Sequence, residues 1–101
     1  MPMLPQSYWV DYALYATALA AVSHEPFHIT GDRDEARVNC HGLQRISMIA
    51  QALGDTPDDA EQIARFVQQY VIPSQPSQYW LPSDCRDGGA LDLNPDSSVW
   101  P

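Results

Sequence analysis

The sequence has no lysine, and its five cations are arginines (Arg33, Arg37, Arg45, Arg65 and Arg86) set against thirteen acidic residues, a formal charge of −8. Such a field repels a phosphate backbone, which sets direct nucleic-acid binding aside. Glycine is scarce and nowhere arranged as a phosphate-cradling loop. Long apolar runs are also missing. The one from Tyr8 to Val22 is interrupted by Asp11 and falls short of the ~20 residues needed to cross a bilayer. No basic residue precedes that run, the first positive charge being Arg33, so it does not read as a secretory leader. The expected location is cytoplasmic, with no membrane contact. There the two cysteines, Cys40 and Cys85, are expected to be free thiols.

What is present fits one small domain of 101 residues, long enough for an ordinary apolar core. The fold class is all-α: a three-helix domain over 1–72, followed by an irregular Pro/Ser/Asp-rich segment over 73–101. The first helix runs from about Ser7, read as its N-cap, to Ser23, with Pro26 blocking continuation. A second is read from Asp32, paired with Glu35 as a capping box, to Leu53, with Gly54 closing it. Its first half has an α+β alternative, in which residues at about 27–40 pair as a short hairpin and the helix starts near His41. The third starts at Thr56, with Pro57 in its first turn and Asp58 and Asp59 at the positive end of the dipole, and runs to Ile72. In the C-terminal segment Tyr79, Trp80, Leu81, Leu91, Leu93, Val99 and Trp100 are apolar anchors for either the domain or a partner. Composition does not choose between the two.

Several groups of residues invite chemistry. His24, His28, Cys40 and His41 are ligand types zinc accepts, but Pro26 is expected to keep His24 and His28 off a common helix face, and there is no Cys-x-x-Cys pair. No metal and no cofactor are therefore assigned. Cys40 and His41 are adjacent, about 100° apart around a helix, and cannot pair as a nucleophile and its base. Asp92 to Ser98 imitates the opening of a calcium loop without its glycine or its closing glutamate, and reads as an acidic turn. No catalytic residue is assigned.

The first helix is the most informative element. Tyr8, Tyr12, Tyr15, Leu19 and Val22 form one stripe, Ala13, Ala16 and Ala20 another below Trp9, and a helix apolar nearly all round must be covered on most sides. Either it lies at the centre of the domain or it presents an interface. The functional expectation is a non-enzymatic, acidic, protein-binding regulator or inhibitor of bacterial or phage type, forming a homodimer or occupying a larger partner. Its surface would comprise Tyr8, Trp9, Tyr12, Tyr15, Leu19, Tyr79 and Trp80. Two alternatives stand beside it. One is a nucleic-acid mimic, carried by Asp32, Asp34, Glu35 and by Asp55, Asp58, Asp59, Glu61. The other is a small metal- or thiol-dependent enzyme in which His24, His28, Cys40 and His41 converge.

Overall fold

The computed structural model describes the backbone of residues 6–101 and the side chains of residues 11–101. Three α-helices follow one another: α1 (Gln6–Ile29), α2 (Glu35–Ala52) and α3 (Pro57–Phe66). The chain continues from α3 through a π-helical turn (Val67–Val71) and two 3-10 turns (Ile72–Ser74 and Ser77–Tyr79) into an irregular C-terminal segment. The all-α reading holds. No strand occurs among the described residues, so 27–40 is the end of one helix and the start of the next rather than a hairpin.

The first helix does not stop at Ser23. It passes through Pro26, although an interior proline costs about 3 kcal/mol or more in a lost hydrogen bond and a ring clash. The last turn is held from outside and below. Phe27 packs against the His41 ring of α2 at 5.3 Å, the Gly31 N–H donates to the His28 carbonyl at 2.9 Å, and His28 Nδ1 lies 2.7 Å from the Asp32 carbonyl oxygen. Tertiary contacts thus override a local stop signal. The start of α2 also moves: Asp34, not Asp32, caps it, accepting from the Arg37 N–H at 3.1 Å. Asp32 is taken by the Arg37 guanidinium, which donates to both carboxylate oxygens at 2.7 and 2.8 Å and holds that carboxyl well below its usual range.

The end of α2 and the start of α3 follow local chemistry. Gly54, at φ +108°, takes the left-handed conformation that ends α2, and the Thr56 hydroxyl accepts from the Asp59 N–H at 3.2 Å. The α-helical part of α3 ends at Phe66, earlier than Ile72. With i→i+5 bonds, residues five apart stack, so Val67 and Ile72 both reach the core, and the Ile72 N–H bonds to the Val67 carbonyl. Leu19, Leu43, Ile46, Ala50, Ala60, Ile63, Ala64, Val67 and Ile72 make one continuous core among the three helices.

The closest approach of α1 and α2 is at Gly42. A Cβ there would lie 3.1 Å from the Ser23 carbonyl oxygen and 3.2 Å from the His24 Cα and N. The C-terminal segment lies against α2: the Gln44 side chain donates to the Leu91 carbonyl at 3.0 Å and accepts from the Leu93 N–H at 2.7 Å. Cys40 and Cys85 form a disulfide, which corrects the free-thiol expectation. The helix and the segment it straps bring the two sulfurs together, a proximity no sequence pattern encodes.

Two outcomes follow. Gly42→Ala should destabilise the fold by about 1–3 kcal/mol, because both neighbours of the new methyl are backbone and neither gives way easily; a urea titration measures it. Closing a loop with a sequence separation of 45 is worth about 4 kcal/mol by chain entropy. Dithiothreitol, or the paired Cys40→Ser and Cys85→Ser substitutions, should therefore lower Tm by more than about 10 °C.

Candidate functional site

Continuation of α1 through Pro26 puts His24 and His28 one turn apart on a single helix face, where the sequence reading had separated them. Gly42, Asn39 and Glu35 recur at helical spacing along α2, so the close crossing at Gly42 brings the other two up against those histidines. His24 Nε2 and His28 Nε2 are 2.7 Å apart, and Glu35 Oε2 lies 3.1 Å from each. The second carboxylate oxygen, Oε1, is also 3.1 Å from His28 Nε2. Among the described residues, this is the group of ligating side chains whose donor atoms all lie within 4.8 Å of one another. The side chains are 13%, 25% and 28% exposed, enclosed but open to solvent.

Each ring is gripped at its other nitrogen. His24 Nδ1 lies 2.7 Å from Asn39 Oδ1, and Asn39 is buried, its Nδ2 donating to the Tyr79 carbonyl at 2.8 Å and to Gln75 Oε1 at 2.9 Å. His28 Nδ1 faces the Asp32 carbonyl, and that contact pushes the imidazole pKa up, with burial working against it and Glu35 adding to the rise. The opposite side of His24 borders a groove of about 440 Å³ lined also by Thr17, Ala21, Gln75 and Tyr79.

The four residues grouped as possible ligands do not all converge. His24 and His28 do. Cys40 is consumed in the disulfide, and His41 stacks against Phe27, where burial lowers its pKa. Glu35 takes their place, a residue the sequence reading used only as a helix cap. The signal for the pair was there, since His24-Glu25-Pro26-Phe27-His28 has i, i+4 histidines, but it acquires meaning only once the helix is known to run through the proline. Asp92 behaves as a turn residue, accepting from the Gly88 and Asn94 N–H groups at 2.9 and 2.8 Å.

The tyrosine stripe is distributed differently from the interface expectation. Leu19 is 3% exposed, inside the core. Tyr12 packs edge-on against Phe66 at 5.0 Å, and the Tyr15 hydroxyl donates to Asp55 Oδ2 at 2.6 Å, tying α1 to the α2–α3 connection. Tyr79 is half-buried, while Trp80 is exposed over an apolar hollow of about 270 Å³ formed with Ile72, Pro73 and Leu81. The side chains of Tyr8 and Trp9 lie outside the described residues. Of the stripe, Val22 stays in solvent at 57% exposed, and beyond it α1 exposes Leu14 and Ile29, at 65% and 85%. No family model, curated protein or solved structure matches the chain.

The Tyr15–Asp55 bond raises the phenol pKa to about 12, first through the hydrogen bond itself, then through burial and the Asp55 charge. A raised folded pKa means that its contribution is complete below the ordinary tyrosine pKa of about 10 and is lost as pH rises through about 12. Tyr15→Phe should accordingly lower stability at neutral pH and flatten its decline across that alkaline window, as read by denaturant melts at a series of pH values.

Proposed function

We propose that this protein acts by binding another protein, without catalysis, through the outward face of α1. The observation that supports the reading is the run of exposed apolar side chains on one side of that helix. Leu14, Ala18, Val22 and Ile29 fall within about 80° of one another at 100° per residue, an arc that also holds the exposed carboxylates Asp11 and Glu25, and three of the four are large and mostly exposed. A second copy of the chain is the first partner to consider, since the same helix face on two protomers is self-complementary. Tyr12 and Tyr15 then serve as the inner wall of α1 rather than as the contact itself.

Other features weigh on the alternatives. Asp32 pairs with Arg37, Asp34 caps α2, Glu35 faces the histidines and Asp55 accepts from Tyr15, so the carboxylates that a nucleic-acid mimic would display are partly engaged inside the molecule. With Cys40 and Cys85 joined, the thiol that a thiol-dependent enzyme would use is absent. That disulfide also favours an oxidising compartment over the cytoplasm expected from the charge pattern. No helix among the described residues is long and apolar enough to cross a membrane.

Leu14→Asp and Val22→Asp place charges on the exposed face without touching the core. Both variants should keep the wild-type circular dichroism spectrum and Tm. In light scattering, the wild-type chain should be dimeric at micromolar concentration and the variants monomeric. A monomeric wild type, or variants that associate as it does, would remove α1 as the contact surface between copies.

A further inference from the structure

We propose that His24, His28 and Glu35 form a zinc site that joins the end of α1 to the start of α2, with the fourth position left to water or an external ligand. Which ring nitrogen carries a proton decides what the cluster can hold. The Tyr79 and Asp32 main-chain oxygens can only accept. The first fixes the Asn39 amide so that Nδ2 points toward Tyr79 and Oδ1 toward His24, and His24 Nδ1, 2.7 Å from that oxygen, must be N–H. The second makes His28 Nδ1 an N–H as well. In both neutral rings the lone pair is therefore on Nε2, and the two lone pairs point at each other across 2.7 Å, with a carboxylate oxygen 3.1 Å from both.

Three electron-pair donors converging without a donor hydrogen among them call for a cation. A single proton bridges two of these atoms, whereas a divalent ion satisfies all three. Around a tetrahedral zinc with bonds of about 2.0–2.1 Å, neighbouring donors sit about 3.3 Å apart. The observed 2.7 to 3.1 Å needs an opening of a few tenths of an ångström, within the reach of small side-chain rotations. Two imidazoles and one carboxylate suit zinc, and are too nitrogen-rich for magnesium or calcium. The outer hydrogen bonds, imidazole N–H to an amide oxygen and to a main-chain carbonyl, are those that orient metal-bound histidines and set their tautomer. Both rings are thus held ready before any ion arrives.

An ion here would also reinforce the stretch of α1 past Pro26. Glu35 comes from the first turn of α2, and an ion bound to it and to His28 would fasten the turn that the proline weakens. Binding to the folded chain alone raises its stability by mass action.

Isothermal titration of the EDTA-dialysed full-length protein with zinc chloride tests the proposal. One zinc per chain is expected, with no comparable heat from magnesium or calcium and a rise in Tm on loading. His28→Gln and Glu35→Gln should each weaken zinc binding by at least about 10-fold, while Glu61→Gln, which removes a carboxylate of α3 paired with Arg65, should leave it unchanged. Should either ligand variant lose its circular dichroism signature, the cobalt-loaded wild-type protein decides: intense visible bands of a four-coordinate ion support the site, and weak octahedral bands overturn it. Absence of stoichiometric zinc binding, zinc binding indifferent to both ligand variants, or loss of zinc in the Glu61 variant would each overturn the assignment.

Discussion

The close crossing of α1 and α2 at Gly42 is the constraint on which the rest depends. Without a side chain there, the α2 backbone comes to within van der Waals distance of Ser23 and His24. Moving along the same face of α2 away from Gly42, the next two inward residues are Asn39 and Glu35, which meet His24 and His28. In the other direction Ile46 and Ala50 meet the apolar core. A single line of contact therefore has a dry half and a polar half. The dry half supplies the burial that stabilises the domain, and the polar half places four hydrogen-bonding side chains with little freedom to move.

Polar groups at such a crossing are costly unless each finds a partner. Asn39 is buried and satisfied on every side: its oxygen takes the His24 contact and its nitrogen serves Gln75 and Tyr79. The C-terminal segment is consequently not an appendage. It completes the hydrogen bonding of a residue in the second turn of α2, and the disulfide anchors it at Cys40, the very next position. Trp80, whose indole N–H donates to the Gln75 carbonyl at 2.8 Å, stiffens the turn that presents the Tyr79 carbonyl.

How much of this was legible beforehand follows from the range of each interaction. Thr56, Pro57 and the paired aspartates marked the start of α3 correctly because capping is decided within four residues. Gly54 marked the end of α2 for the same reason. Pro26 misled, since the rule against interior proline is local and its cost is offset by Phe27 on His41 and by the contacts of His28. The disulfide was missed because two cysteines separated by 45 positions carry no pairing signal, and the expectation of a cytoplasmic location argued for reduced thiols. Glu35 was taken as part of a cap when its carboxylate faces two histidines of another helix, a relation visible only after the crossing is known. Within the informative stripe, Tyr12 packs on Phe66 and Tyr15 on Asp55, while Val22 stays in solvent together with Leu14 and Ile29.

The polar crossing and the disulfide are mechanically one unit, which decides how the site and the segment influence each other. The His24 ring is oriented by Asn39, Asn39 by the Tyr79 carbonyl, and the path from Tyr79 to Cys85 is only a few residues before it is bonded back to α2 at Cys40. Opening the disulfide removes one tie between that segment and α2, leaving Gln44 on Leu91 and Leu93 and Trp80 on the Gln75 carbonyl, and so loosens one of the two acceptors that hold the Asn39 amide in a single orientation. The other, Gln75, is itself a side-chain amide and can present either oxygen or nitrogen, so it fixes the direction of Asn39 less firmly than a main-chain carbonyl does. The orientation of His24 therefore depends on a covalent bond formed elsewhere in the chain. Closure of the C-terminal segment comes before organisation of the two-helix site in the hierarchy of constraints.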